Sequence, residues 1–168
     1  MATQSFDYLD LTLNMAEQRG VLLVTCDHKG NPNVMTIGWL LLGRSYYKRP
    51  VAVIAVRPAT YTYHLLDMVE EFVIAVPTSE LSDAVTYCGK QSGRVVDKFA
   101  VTSMTPVPSQ YVTPPSIKEC TVNIECRIYH KQHPPHQLLT PDHRKAPIAD
   151  QHTIYFAEVL GVSKNGHS

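Results

Sequence analysis

Short apolar runs separated by turn residues dominate the chain. Runs of this length that are rich in Val, Ile and Leu are typical of buried strands. Six stretches have this character: residues 21–25, 34–42, 51–56, 72–76, 120–131 and 153–162. The turn-forming stretch 27–33 joins the first two and predicts a hairpin. The run 51–56 has no polar position, so we expect it to be buried on both faces.

Helical spacing is confined to a few short segments. Leu65, Met68 and Val69 begin a pattern of threes and fours that predicts an amphipathic helix over 60–70, capped by Thr60 or Thr62. Three further short helices are predicted: one in the arm before Gly20, one from Ser79 to Gly89 and one after Gly93. The proline-rich stretch 106–115 is expected to be an extended connection without regular structure.

The balance of these elements predicts the fold class. Strands outnumber helices, and the helices do not alternate regularly with them, which argues against a doubly wound parallel sheet. We therefore expect a mainly β fold, a closed barrel with inserted helices. The 168 residues suit a single domain over 1–168, with the barrel core at about 20–162.

Composition excludes several classes of protein. Fifteen basic residues balance fifteen acidic ones, so no field favours nucleic acid. The sequence has no apolar run of about 18 residues and no basic, then apolar, start, so we expect neither a membrane span nor a secretory signal. The cysteines form no CxxC pair, which favours free buried thiols in a cytoplasmic protein; Cys120 and Cys126, six apart, are expected on one face of a strand.

The stretch 33–39, Asn-Val-Met-Thr-Ile-Gly-Trp, is the first that suggests chemistry. Gly38 within a strand indicates close approach of a ligand or another chain, and Trp39 beside it suits a flat aromatic ligand. A plain strand after an Asn-Pro turn is the alternative.

The stretch 57–62, Arg-Pro-Ala-Thr-Tyr-Thr, lies where a buried strand gives way to a helix. The helix N-terminus, the hydroxyl groups and the Arg57 guanidinium together make an anion site that suits a phosphate. A strand end followed by a capped helix explains the same residues without a ligand.

The stretch 92–99, Ser-Gly-Arg-Val-Val-Asp-Lys-Phe, offers a third set of donors. Gly93 permits a tight approach, with Ser92 and Arg94 as donors. Lys98 follows Arg94 by four residues, so both are expected on one helical face. The alternative is a loop followed by a solvated helix surface.

Other catalytic motifs are not expected. His130, His133, His136 and His143 fall in one region, but consecutive prolines interrupt any helix there, so we expect no metal site. The sequence has no GxGxxG, GxxxxGK[ST] or GxSxG motif. Cys88 has no basic partner in sequence that would favour a nucleophile.

Taken in order, the three stretches resemble the flavin reductase-like, FMN-binding split-barrel family, with its flavoredoxin group the most similar. The motifs are Asn-x-Met-Thr-x-Gly-Trp from Asn33, Arg-Pro-x-x-Tyr-Thr from Arg57, and Tyr-Cys-Gly-x-x-Ser-Gly-Arg-x-x-Asp-Lys-Phe from Tyr87. The resemblance covers roughly residues 20–162. It implies a split β-barrel that binds FMN and works as a homodimer, with each flavin near the subunit interface.

The matched positions imply which residues bind the cofactor. The implied contacts are Asn33, Val34, Met35, Thr36, Trp39, Arg57, Thr60, Tyr61, Thr62, Ser92, Gly93, Arg94 and Lys98. Among them, Asn33, Met35 and Thr36 are expected to line the isoalloxazine, with Trp39 near it. Arg57, Thr60 and Thr62 are expected to hold the phosphate. Lys98 is expected near the N1–C2=O edge, where it stabilises the reduced flavin.

The resemblance leaves three functions open. The first is a flavin reductase or other NAD(P)H-dependent oxidoreductase that takes electrons from NADH or NADPH. The second is a flavoredoxin-type electron carrier reduced by a partner protein. The third is a flavin-binding protein without catalysis. No catalytic residue is expected beyond the flavin itself, because the redox step belongs to the cofactor.

Overall fold

The mainly β fold with inserted helices is confirmed. A computed structural model describes residues 7–45, 49–136 and 146–165. The strands are β1 (Val21–Cys26), β2 (Pro32–Ile37), β3 (Leu40–Arg44), β4 (Pro50–Val56), β5 (Glu71–Val76), β6 (Pro106–Val107), β7 (Ser116–Ile117), β8 (Val122–Gln132) and β9 (Thr153–Lys164). Seven form one sheet in the order β2–β1–β5–β8–β9–β4–β3, and β6 pairs with β7. Every pairing in the large sheet is antiparallel.

Short helices connect and cover these strands. They are α1 (Leu9–Gln18), α2 (Tyr61–Met68), α3 (Ser82–Lys90) and α4 (Lys98–Thr102), with 3₁₀ turns at Ser79–Leu81 and Ile148–Asp150. Among the residues that the structure describes, no helix is long and apolar enough to cross a membrane.

The predicted strand over 34–42 is in fact two strands. β2 ends at Ile37 and β3 begins at Leu40, and the two occupy opposite ends of the sheet order. Gly38 and Trp39 form the connection between them. The uninterrupted apolar run did not reveal this break, because the chain changes direction without a polar turn.

Two helix predictions need correction. Gly89 does not end α3, which continues to Lys90. Arg94 lies in a turn before α4, whereas Lys98 is the first residue of that helix and Asp97 is its cap, accepting the Ala100 N–H at 3.1 Å. The two cations therefore do not share a helical face, because the capping aspartate starts the helix later than Gly93.

The sheet separates two apolar cores. The larger core contains side chains from β1, β2, β4, β5, β8 and β9, and Cys126 belongs to it. The second core lies between the other side of β1 and β5 and the helices α3 and α4, and it contains Cys120. The prediction that Cys120 and Cys126 share one strand face is wrong, because β8 begins only at Val122.

The strand over 51–56 is fully buried on one face and partly buried on the other. Ala52, Ile54 and Val56 face the larger core, whereas on the opposite face Ala55 is buried and Val51 and Val53 are half-buried. The expected burial on both faces is therefore only partly met.

Carboxylates hold the connection 105–113 against the barrel. The backbone contacts are Thr105 N–H to Glu119 at 2.9 Å, Gln110 N–H and Tyr111 N–H to Glu125 at 3.1 and 2.6 Å, and Thr113 N–H to Glu71 at 2.8 Å. The stretch 106–115 was expected to lack regular structure; the exception is β6 at its start, which pairs with β7 just after its end.

Candidate functional site

A cavity of about 200 Å³ opens beside the edge strand β2. Its walls are β2, the N-terminus of α2 and the stretch from the end of α3 to the start of α4. The described residues that line it are Asn33, Met35, Ala59, Thr60, Tyr61, Thr62, Cys88, Gly89, Lys90, Gln91, Ser92, Gly93, Arg94 and Lys98. All three motif stretches thus contribute to one cavity.

The alternation of β2 decides which of its side chains reach the cavity. Asn33 and Met35 line it, whereas Val34 packs into the second core and the Thr36 hydroxyl donates to the Val85 carbonyl at 2.5 Å. The Val34 carbonyl accepts a hydrogen bond from Lys98, so the backbone of Val34 points out of the sheet edge. Val34 and Thr36 therefore offer backbone groups, not side chains, at this edge.

Gly93 permits very close contact between two walls. A Cβ atom at this position would lie 1.9 Å from the Asn33 Oδ1 and 3.1 Å from the Tyr61 ring. The Asn33 amide in turn donates to the Thr62 hydroxyl at 3.0 Å. Gly93 therefore permits close approach of this wall to Asn33 and Tyr61, whereas the sequence suggested close approach to a ligand.

The N-terminus of α2 is capped as the sequence predicts. The Thr60 hydroxyl accepts the Tyr63 N–H at 3.2 Å and donates to the Arg57 carbonyl at 2.9 Å. Because this hydroxyl is already engaged in both directions, the groups that α2 offers to an anion are the N–H groups of its first turn.

Cations dominate the charge of the cavity. Lys90, Arg94 and Lys98 line it, and no carboxylate is among the described lining residues. The Arg94 guanidinium donates to the Ala59 carbonyl at 3.3 Å and lies 5.5 Å from the centroid of the Tyr61 ring. This arrangement favours an anionic ligand.

Lys98 is buried at the inner side of the cavity. Its Nζ donates to the carbonyls of Val34 at 2.8 Å and Cys88 at 3.0 Å, which leaves one of its three N–H groups for a ligand. Burial lowers the pKa of Lys98, and it raises the pKa of the Cys88 thiol to about 11, so this cysteine is neutral.

Besides Val34 and Thr36, the predicted site residues Arg57 and Trp39 lie outside the cavity lining. Arg57 is exposed, and Trp39 is half-exposed, with its ring centroid 5.2 Å from that of His152. Burial, together with Arg57 and His136, lowers the pKa of His152. These residues form a group of their own beside the first residues of β9.

Five lining residues were not among the predicted contacts, although they fall within the motif stretches: Ala59, Cys88, Gly89, Lys90 and Gln91. The last four lie at the C-terminal end of α3 and directly after it. The positive charge of Lys90, directly after Cys88-Gly89 in the third motif, is the sequence feature that could have indicated its place in the cavity.

The histidine region forms local contacts. His136 pairs its Nε2 with the His152 carbonyl at 2.6 Å, and the His133 Nδ1 lies 3.3 Å from the Thr153 hydroxyl. His130 lies in β8, 5.3 Å from the Phe156 ring, and His143 falls outside the described residues. Within the ranges the structure describes, no group of three metal-ligating side chains occurs.

The cavity fits part of a phosphate-bearing flavin. The donors and cations suit an anionic ligand, and Met35 and Tyr61 supply apolar surface. The volume of about 200 Å³ lies below the roughly 300–1,000 Å³ usual for ligand pockets. The described residues of one chain therefore surround only part of a phosphate-bearing flavin.

The chain belongs to the flavin reductase-like domain family, which it matches over residues 15–168. A relative from Archaeoglobus fulgidus is 34% identical over 132 residues, which is 79% of this chain and 65% of the relative. This chain thus spans less than two thirds of that relative's length.

Solved structures with the same fold include two flavoredoxins. That of Desulfovibrio vulgaris (Miyazaki F) has a TM-score of 0.69 at 28% identity, covering 86% of this chain and 68% of its own. That of Methanosarcina acetivorans has a TM-score of 0.70 at 25% identity, covering 87% and 68%. The FMN-binding domain of a flavin reductase-like enzyme from Shewanella baltica, with a TM-score of 0.66, 18% identity and coverage of 94% and 74%, shares the fold. The predicted family and its split-barrel fold are confirmed.

Proposed function

We propose that this protein binds FMN and acts as a flavin reductase-type oxidoreductase that takes electrons from NADH or NADPH. The observation that carries the proposal is the cavity beside β2, which combines Lys90, Arg94 and Lys98 with the N-terminus of α2 and contains no carboxylate among its described residues. A bound flavin supplies the hydride and electron chemistry; the chain binds and orients it.

The proposed contacts follow from the placement of the residues. Asn33 and Met35 contact the ring system, and the outward backbone groups of Val34 and Thr36 provide hydrogen bonds to its polar edge. Trp39 lies beside it. Lys98 supplies positive charge at the inner side, where reduction increases negative charge on the ring.

The phosphate is proposed to lie near the N-terminus of α2, as the resemblance implies for Arg57, Thr60, Tyr61 and Thr62. The geometry supports the backbone N–H groups of Tyr61 and Thr62 more strongly than the engaged Thr60 hydroxyl or the exposed Arg57. On the facing wall, Ser92 and Arg94 are placed to contribute, with Gly93 between them setting the distance between the walls.

A flavoredoxin-type electron carrier is the second candidate. The similarity of 28% and 25% identity to two flavoredoxins favours it. In this function a partner protein replaces the nicotinamide nucleotide as electron donor, and the same FMN site is used.

We further propose a cytoplasmic homodimer. All four cysteines are free and buried, which suits a reducing compartment. The small volume of the cavity and the half-buried apolar face of β4 support a second copy that completes the surroundings of the flavin.

Absorbance spectroscopy tests the proposal. The purified protein should be yellow, and anaerobic addition of NADH or NADPH should bleach it. A yellow protein that neither nucleotide reduces, but that an electron-transfer protein reduces, would favour the carrier. A protein that binds neither FMN nor FAD would contradict both functions.

A further inference from the structure

The edge strand β2 and helix α3 are linked by the side chains of Thr36 and Lys98. The Thr36 hydroxyl donates to the Val85 carbonyl at 2.5 Å. About one turn further along α3, the Cys88 carbonyl accepts a hydrogen bond from the Lys98 Nζ at 3.0 Å. The same Nζ donates to the Val34 carbonyl of β2 at 2.8 Å. The place of Lys98 in the cavity therefore depends on the separation between a strand carbonyl and a helix carbonyl.

We propose that the Thr36 hydroxyl is a positioning group that sets the redox potential of the bound flavin through Lys98. The inference rests on the proposed function, and it adds a side-chain group that acts on the flavin without contacting it. By holding α3 against β2, the hydroxyl fixes the distance between the two carbonyls that hold the Lys98 ammonium. That distance determines where the ammonium lies relative to the flavin and thus how strongly it stabilises the reduced form.

The surroundings of Thr36 suit this link. Gly20, directly before β1, has a φ of +89°, and a Cβ atom there would lie 2.7 Å from the Thr36 Cγ2. On the helix side, a Cβ atom at Gly89 would lie 3.4 Å from the Thr36 Cβ. Glycines on both sides thus leave room for a β-branched side chain whose hydroxyl reaches a carbonyl of α3. That hydroxyl donates its single O–H to Val85, and the Thr36 side chain is not part of the cavity lining.

The burial of Lys98 makes its exact position matter. Lys98 is 5% exposed, so water screens its charge only weakly. The two carbonyls take two of its three N–H groups, and the third is left for the cavity. A shift of the Cys88 carbonyl away from Val34 would break one of these bonds or move the ammonium with it. In either case the flavin would meet a differently placed positive charge.

The alternative is that Thr36 only stabilises the fold. Loss of a purely structural link would weaken the binding of oxidised and reduced FMN alike, because both redox forms use the same cavity. A positioning hydroxyl instead changes the ratio of the two affinities, and it does so only while Lys98 is present. The redox potential of the bound flavin measures this ratio.

Thr36→Val is the test, because it removes the hydroxyl and keeps the shape and the backbone groups of Thr36. We expect the ratio of reduced to oxidised FMN affinity to fall by about 3- to 10-fold, which is a fall of roughly 15–30 mV in the two-electron potential. In a Lys98→Met background, the same substitution should leave the potential unchanged. Thr36→Ser, which keeps the hydroxyl, should keep the wild-type potential. Thr36→Ala, which removes the hydroxyl without placing a methyl group against Val85, should reproduce the shift.

Thr86→Val is the matched control, because the Thr86 hydroxyl also donates to a carbonyl of α3, that of Ser82 at 3.1 Å, but does so within the helix itself. Its potential should equal that of the wild-type protein. Hydrogen exchange of the apo-protein gives a second measurement: the amides of α3 should exchange faster in Thr36→Val than in the wild-type protein, because β2 no longer holds the helix. Thermal unfolding establishes that each variant is folded.

Three results would overturn the positioning role but not the flavin function. They are an unchanged potential in Thr36→Val, an equal shift with and without Lys98, and exchange of the α3 amides that is as slow in Thr36→Val as in the wild-type protein. Absence of flavin binding in the wild-type protein would overturn the proposed function and the positioning role together.

Discussion

Lys98 is the residue whose burial and charge are hardest to explain by folding alone. It is 5% exposed, and both of its described hydrogen bonds go to backbone carbonyls rather than to a carboxylate. A buried ammonium without a counter-ion costs free energy, which is why its pKa is lowered. A ligand that becomes more negative on reduction would offset that cost.

Lys98→Met is therefore expected to lower the two-electron potential of bound flavin. The Lys98 ammonium, at a few ångströms, is expected to bind the reduced flavin more strongly than the oxidised flavin by about 1–3 kcal/mol. This difference corresponds to a fall of roughly 20–65 mV in the two-electron potential. The free energy of unfolding should also fall, because the Val34 and Cys88 carbonyls lose their donor. Spectroelectrochemistry and urea unfolding measure the two effects, and Lys90→Met at the same cavity is the control. An unchanged potential combined with weakened FMN binding would instead assign Lys98 to the phosphate.

His152 provides a prediction about pH. Its folded-state pKa lies below the ordinary value of about 6.5, so the unfolded chain binds more protons than the native one as the pH falls. The stabilisation is complete above the unfolded pKa and is lost as the pH falls through the folded pKa. We expect the free energy of unfolding to decrease between pH 7.5 and 5, by at most about 1.4 kcal/mol per pH unit from this one group.

His152→Phe isolates this effect from the other seven histidines. Phenylalanine keeps a ring against Trp39, and the backbone carbonyl that pairs with His136 is unaffected. The pH dependence of urea unfolding should be shallower in the variant, and fluorescence of Trp39, the only tryptophan, should lose its titration near the folded pKa. Identical pH profiles in the two proteins would contradict the assignment to His152.

Sequence motifs predicted the cavity residues best where a residue both carries a polar or charged group, or allows a close approach, and has its position restricted by the surrounding backbone. Asn33, Gly93 and Lys98 belong to recognisable motifs, and each has a distinct structural contact. Arg57 and Trp39 were expected in the same cavity but lie outside its lining. A motif fixes the order of residues along the chain, but it does not determine whether a side chain at a strand end points toward the cavity or toward a neighbouring loop.

At the level of elements, hydrophobic periodicity predicted which helices and strands exist better than it predicted where they begin and end. The helix over 60–70 is α2, because its spacing and its Thr60 cap agree. The break between β2 and β3 escaped detection because Gly38 and Trp39 interrupt an apolar run without polar turn residues. In β8 the polar Asn123 and Glu125 alternate with the core residues Ile124 and Cys126, yet both polar side chains are buried under the 105–121 connection. The sequence near Asn123 and Glu125 does not reveal that another segment of the chain covers them.

The carboxylates beneath that connection predict acid sensitivity. Burial acts to raise the pKa values of Glu71 and Glu119, but hydrogen bonds from Thr113, Arg127 and Thr105 outweigh it and lower both. Their stabilisation is present above the unfolded pKa of about 4.3 and is lost as the pH falls through the folded values. Hydrogen exchange should therefore show the 105–113 amides opening at low pH before the strands of the sheet.

Glu125→Gln tests the same contact at neutral pH. The wild-type carboxylate accepts two backbone N–H groups, whereas the amide would present its own donor to one of them. We expect a loss of about 1–3 kcal/mol in the free energy of unfolding, with faster exchange of the Gln110 and Tyr111 amides. Exchange unchanged at these two amides, with the rest of the protein folded, would contradict the role given to Glu125.

At the scale of the whole molecule, the outer face of the sheet is where we expect a partner to bind. Leu41 pairs with Val53, and Val53 pairs with Phe156, so the three apolar side chains form one row across β3, β4 and β9. Leu41 is 56% exposed, and the other two are half-buried. The inward neighbours of this row fill the larger core, and within the described residues the outward row keeps part of its apolar surface exposed.

A second copy of this chain is the partner that we expect on the Leu41–Val53–Phe156 row, because apolar sheet faces of this kind favour a two-fold contact. Light scattering at micromolar concentration with FMN present should give the mass of a dimer. Leu41→Glu should shift the protein to monomer and weaken FMN binding, since one chain surrounds only part of the ligand. Val101→Glu on α4 is the matched control, because Val101 is also 56% exposed but lies away from this row. A dimer that persists in Leu41→Glu, or that Val101→Glu disrupts equally, would place the interface on another surface.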